Sequence, residues 1–151
     1  MNATDLLKKQ HKNVKSLFKR LEATDDARMR RPLLTEIARN LAGHTTIEEE
    51  IFYPAVRALE SRKAEKMVLE AYEEHHVVKL VLAELPRVNP EDERFEAKMT
   101  VLAELVEHHV EEEEKEMFKL AQKLGRDELE ELGEQMAERF EAVRAKATEA
   151  A

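Results

Sequence analysis

The chain has 151 residues, one domain's worth, with 38% charged and 42% hydrophobic residues and only three glycines and four prolines. That composition favours helix and leaves too few breakers for an all-β fold. The absence of cysteine excludes disulfide frameworks, thiolate metal sites, iron–sulfur clusters and a thiol nucleophile, and a net charge of −8 argues against nucleic acid or an anionic membrane as partner. No apolar run approaches the roughly 18 residues of a membrane span, and Met1 to Gln10 has no signal-peptide character. A soluble, cytoplasmic protein is therefore expected.

Asn2 or Thr4 can cap a first helix that reaches about Glu22, with Leu7, His11, Val14, Phe18 and Leu21 along one stripe. Residues 23–31 read as a polar connection, and Pro32 suits the first turn of a second helix. The stripe of that helix is Leu34, Ile37, Leu41, His44, Glu48, Ile51 and Ala55, in alternating steps of three and four, and Pro54 should kink or end it. A third helix, from about Lys63 to Leu85, carries Val68, Ala71, His75, Val78, Leu82 and Leu85. After the break at 86–90, Asn89 as N-cap and Pro90 as first helical residue would start a fourth helix. Its face is Phe95, Met99, Leu102, Val106, His109, Glu113, Met117, Leu120 and Leu124, and Gly125 would cap it. Leu129, Leu132, Met136, Phe140 and Val143 mark a last amphipathic helix at about 127–147. No segment alternates as a strand does. The expected fold is all-α: an up-down-up-down four-helix bundle over about 4–124 with an additional C-terminal amphipathic helix, one domain over 1–151.

The bundle region also repeats. His11, Val14, Lys15, Phe18 and Leu21 align with His75, Val78, Lys79, Leu82 and Leu85 at an offset of 64, and His44 and Glu48 align with His109 and Glu113 at an offset of 65. Each half is a helical hairpin with one His on its first helix and His-x-x-x-Glu on its second.

Six positions where a core stripe should carry Leu or Ile are polar: His11, His44, Glu48, His75, His109 and Glu113. Burying an unpartnered polar group costs about 2–7 kcal/mol. Six such costs would exceed a typical folding stability of about 5–15 kcal/mol. A metal offsets them best, because four imidazoles and two carboxylates form a ligand set. His and Glu four apart lie one above the other on a helix, so two such pairs and two single histidines can meet at mid-bundle. Bridging carboxylates with terminal imidazoles describe a dinuclear site, and nitrogen and oxygen donors without sulfur suit iron or manganese, with zinc also accommodated. Two other readings stay open. One is a ferritin-like carboxylate oxidase, for which Glu73-x-x-His76 is the only match. The other is a histidine-lined core without metal.

The stretches Asp5-Leu6-Leu7 to His11, His44-Thr45-Thr46-Ile47-Glu48-Glu49-Glu50-Ile51-Phe52-Tyr53-Pro54, Glu73-Glu74-His75-His76, and His109 through Glu113 to Phe118 resemble the hemerythrin-like family with the HHE cation-binding domain. The resemblance covers about residues 4–122. It implies a non-haem di-iron centre, oxo- or hydroxo-bridged, and a protein that binds, senses or reacts with oxygen, peroxide, nitric oxide or iron. Oxygen-carrying hemerythrins have a histidine where this chain has Lys79, and a fourth-helix His and Asp five apart where His109 and Glu113 are four apart. The ligand set is then one donor short of theirs. Either an exchangeable water fills that place or a further side chain does, with Tyr72, beside the stripe, one candidate and Glu74 and His76 less well aimed. His76 and His108 fall off the stripe, as outer-shell or surface residues. A monomer or weak homodimer that takes a small ligand is expected, with weak peroxidase or nitric oxide activity left open.

Overall fold

The computed structural model describes the backbone of residues 1–150 and the side chains of residues 1–146. Helix α1 spans Ala3–Glu22, where the Asn2 side chain accepts the Asp5 amide at 2.9 Å. Helix α2 spans Ala27–Ile47 and continues through a π-helical turn, Glu48–Phe52, and an α-helical end, Tyr53–Arg57. Helix α3 spans Arg62–Glu84, capped by Ser61. Helix α4 spans Glu93–Glu112 and continues through a second π turn, Glu113–Met117, into Phe118–Ala121. Helix α5 spans Arg126–Ala150, after a turn at Gly125 whose φ of 92° favours glycine. The fold is all-helical, with no strand among the described residues.

Three boundaries differ from the sequence reading, each for a local reason. Helix α2 begins five residues before Pro32, because Asp26 accepts the Arg28 amide and caps earlier. Helix α4 is capped by Asp92 rather than Asn89. Asn89 instead closes a turn by accepting the Glu91 amide, and this leaves Pro90 outside the helix. Pro54 does not end α2, because the π turn before it takes up the irregularity and the helix runs on to Arg57.

Each π turn begins at a core glutamate. The Tyr53 amide donates to the Glu48 carbonyl, and the Phe118 amide to the Glu113 carbonyl, both five residues apart. The extra residue rotates everything downstream. After Glu48 the buried residues are Phe52, Tyr53 and Val56, where a regular helix would have buried Ile51 and Ala55.

The six polar stripe residues form a layer that divides the core. On one side pack Ala3, Leu7, Ile47, Phe52, Val56, Val68 and Met117, together with Leu129, Met136 and Phe140 of α5. On the other side pack Val14, Phe18, Ile37, Leu41, Val78, Leu85, Phe95 and Leu102. Helix α5 lies so close to α1 and α2 that glycine stands at two of the contacts. A Cβ on Gly43 would stand 2.7 Å from the Phe140 ring, and one on Gly133 would stand 2.2 Å from the Met1 carbonyl oxygen.

A Gly→Ala change in a helix is worth up to about 1 kcal/mol in propensity. Phe140 can rotate away but a backbone carbonyl cannot, and overpacking costs about 1–3 kcal/mol. Gly43→Ala should therefore leave thermal stability near wild type, and Gly133→Ala should lower it. Equal melting temperatures for the two variants would show that α5 does not dock as described.

Candidate metal centre

The periodicity of four helices delivers four imidazoles and two carboxylates to one layer, all of them buried, with Glu48 fully enclosed and Glu113 2% exposed. The four histidines use the same pattern of contacts. Each Nδ1 meets an acceptor: His11 donates to Glu114 (2.7 Å), His44 to Gln10 (2.7 Å), His75 to Glu49 (3.1 Å) and His109 to Glu74 (2.9 Å). These acceptors place the proton on Nδ1 and leave Nε2 as a lone pair turned into the layer.

The inward atoms then crowd one another. Nε2 of His11 lies 3.2 Å from Nε2 of His44, and Nε2 of His75 lies 3.2 Å from that of His109. Glu48 Oε1 is 3.1 Å from Nε2 of both His44 and His75. Glu113 reaches His11 with Oε1 and His109 with Oε2, each at 3.2 Å. Both oxygens of Glu48 and Oε1 of Glu113 are buried without a hydrogen-bond partner. Lone pair facing lone pair is repulsive unless a cation stands between them. Donors at right angles around an ion, each at about 2.1 Å, are about 3.0 Å apart, and the observed separations are close to that. Two sets could each hold an ion: His11, His44, Glu48 and Glu113, and Glu48, His75 and His109. Glu48 belongs to both, and Glu113 spans from one to the other.

The arrangement has the near-twofold symmetry of the sequence repeat. The residue before the first-helix histidine, Gln10 or Glu74, orients the histidine on the second helix of its own hairpin. The residue after the core glutamate, Glu49 or Glu114, orients a histidine of the other hairpin. Two positions break the symmetry. Gln10 is neutral where Glu74 is charged, and Tyr53 stands where the other half has Phe118. The Phe118 ring stacks on His11 at 6.0 Å. The Tyr53 hydroxyl instead donates to Glu113 Oε2 at 2.6 Å and sits 3.2 Å from Nε2 of both His75 and His109.

The structure places the other sequence candidates as follows. Glu74 is an outer partner, on His109. Tyr72 is turned away: its hydroxyl donates to the Glu49 carbonyl, and its ring meets Tyr53 edge-on. His76 is exposed, and so is His108, which pairs with Glu112 at the surface. Sequence reasoning missed Tyr53, because a regular turn after Glu48 would not bring it back to the layer. It also missed Gln10, Glu49 and Glu114. The repeat held a signal for these, since Gln10 aligns with Glu74 and Glu49 with Glu114.

Burial alone would lower His11, but its contact with Glu113, aided by Glu48 and Glu114, holds it above the ordinary histidine value. The same opposition, with Glu113 foremost, lifts His109 well above that value. Burial would raise Glu48, yet the facing His44, with Glu113 and His109 around it, holds it well below the carboxylate range. Burial, then the charges of Glu113 and Glu48, push the Tyr53 phenol well up, so it keeps its proton. Without metal, each facing histidine pair thus has one member that favours a second proton, His11 or His109.

Residues 2–121 match the hemerythrin HHE cation-binding domain, and the chain belongs to that family. It is 33% identical to the uncharacterized protein Rv2633c of Mycobacterium tuberculosis, over 95% of this chain and 88% of that one. It superposes on the crystal structure of a hemerythrin HHE cation-binding domain-containing protein from Mycobacterium kansasii, a homologue of Rv2633c, with a TM-score of 0.85 and 31% identity. That match covers 97% of this chain and 89% of the other. It is also 30% identical over 78% of its length to a DNA nickase of Nostoc sp., of which it spans only 33%.

The raised values of His11 and His109 stabilise the metal-free fold below about 6.5, the ordinary histidine value, and that contribution is lost as pH rises through their folded values. The depressed Glu48 contributes above its ordinary 4.5, and this is lost as pH falls through its folded value. The metal-free chain should therefore be most stable between about pH 4.5 and 6.5. Metal loading in that window should release about two protons per chain. Calorimetry in buffers of different ionisation enthalpy measures the release; uptake of metal without it would contradict the assigned proton positions.

Proposed function

We propose that the chain is a non-haem di-iron protein whose centre reacts with a small oxidant, oxygen or peroxide, and takes nitric oxide as a related ligand. The observation that carries the reading is the convergence of four Nε2 lone pairs and two carboxylates on one buried layer. Nitrogen and oxygen donors without sulfur suit iron, and shared carboxylates suit two ions rather than one. His11, His44 and one oxygen each of Glu48 and Glu113 would hold the first ion; Glu48, His75 and His109 would hold the second. Iron there would supply Lewis acidity and one-electron redox change.

The surrounding residues limit what can react. A cavity of about 20 Å³ adjoins the four histidines, walled by Val14, Leu41, Val78, Val106 and Val110. It is apolar and has room for a molecule of two or three atoms. Tyr53 holds a proton 2.6 Å from Glu113 and beside both histidines of the second half. A phenol kept protonated in that place can give its proton to an oxygen atom gaining charge and recover it through Glu113. Such a group favours consumption of peroxide over reversible carriage of oxygen. The carboxylates at three of the four Nδ1 atoms make the imidazoles more electron-rich and favour the oxidised ion. The ferritin-like alternative needs Glu73 and His76 turned inward, and both are exposed.

Protein purified from its own host should contain two irons per chain. Tyr53→Phe should keep that content and consume peroxide at least about tenfold more slowly, a modest share of what a positioned acid contributes. Equal rates would remove Tyr53 from the chemistry. Reduced protein mixed with oxygen should autoxidise; an oxygen adduct that disappears on degassing would make carriage the better reading.

A further inference from the structure

We propose that Glu74, His108 and Glu112 form an outer capture site for a divalent transition cation, and that an acidic cleft behind it is the route by which the buried layer is loaded and emptied. The proposal rests on the metal-centre reading and names the way in. His108 Nε2 lies 3.3 Å from Glu112 Oε1 and 3.8 Å from Glu74 Oε2. These three side chains, on facing stretches of α3 and α4, bring one donor atom each within 4.8 Å of the others. The other oxygen of Glu74 accepts from His109 Nδ1 at 2.9 Å, so one carboxylate joins the outer cluster to a buried histidine.

A cleft of about 40 Å³ opens at the same place. Glu70, Glu74, Glu112 and Glu116 line it, with His109 and Glu113 at its inner end. Glu70, Glu112 and Glu116 are exposed, whereas Glu113 is buried, with Oε1 lacking a hydrogen-bond partner. About 10–15 Å³ of such space holds one water, so the cleft takes about three, and a cation with a full shell of about six has no room there. It must first exchange water for protein donors, and the outer cluster supplies three. A histidine beside carboxylates selects a transition ion over calcium or magnesium, which prefer oxygen alone. The larger opening of the bundle, about 780 Å³ between α1 and α4, lacks the net negative charge of the cleft, since four lysines, among them Lys12, Lys15 and Lys19, balance four glutamates along it. Carboxylates in a cleft concentrate cations and raise arrival rates by about 10–10³-fold.

A route that accelerates loading accelerates release equally, so the iron-loaded chain tests both directions. We would follow extraction of iron from the loaded protein by an excess of chelator, then reloading with ferrous ion, for wild type, Glu112→Gln, and His108→Ala with Glu112→Gln. Both substituted residues are exposed, and circular dichroism checks the fold. The double variant should reach the wild-type iron content with both rates lowered about tenfold, the low end of the focusing effect. Manganese added to the loaded wild type should occupy one weaker additional site, seen by its electron paramagnetic resonance signal, and the double variant should lose it. Normal content with unchanged rates would overturn the loading route alone. A wild-type chain that holds no ion in the buried layer would overturn the metal-centre reading as well.

Discussion

Four imidazole lone pairs and two carboxylates face one another across about 3 Å, in a layer closed to solvent. Like facing like cannot persist in a low-dielectric interior without positive charge between. In the metal-free chain the raised His11 and His109 favour supplying it as protons, at the expense of sensitivity to pH. Two cations would provide it more completely, because each donor would then have a partner. The rest of the structure follows from placing that layer at mid-bundle. The apolar core is divided in two, and α5 thickens the half that contains Phe52 and Met117. Close contact at Gly43 and Gly133 lets it do so.

The two π turns serve the layer directly. Each starts at a core glutamate, and the added residue lets the helix return an aromatic ring to the layer one turn later. In one half that ring is Phe118, which only packs; in the other it is Tyr53, which carries a protonated oxygen between two histidines and a carboxylate. A chain of two similarly patterned hairpins thereby has two unlike halves around the layer. In the proposed function that difference, rather than the shared ligand set, is what would set proton-consuming chemistry apart from symmetric storage of ions.

Much of this was legible in the sequence, for identifiable reasons. Steps of three and four residues disclose a helix face, so the stripe positions of His11, His44, His75 and His109 could be read off, as could Glu48 and Glu113 one turn on. The repeat paired them and picked His75 over His76 and His109 over His108, and the stripe members are the buried ones. What escaped depends on hydrogen bonding that leaves no local residue signature. A five-residue backbone bond cannot be told from a four-residue one by composition, so Tyr72 stood in for Tyr53. Helix starts at Asp26 and Asp92 escaped for another reason: several capping residues lie close together, and packing decides which is used. Gln10, Glu49 and Glu114 looked like ordinary polar surface residues, and only the folded contacts give them their task of aiming imidazoles.

The central claim is that two metal ions occupy the polar layer, one on each side of Glu48. Diffraction from crystals of the iron-loaded protein, recorded at the iron absorption edge, tests it most directly. The account predicts two anomalous peaks about 3–4 Å apart, the usual spacing of a dinuclear site, one beside His11 and His44 and the other beside His75 and His109. A single peak in the layer, or peaks confined to the surface, would contradict it.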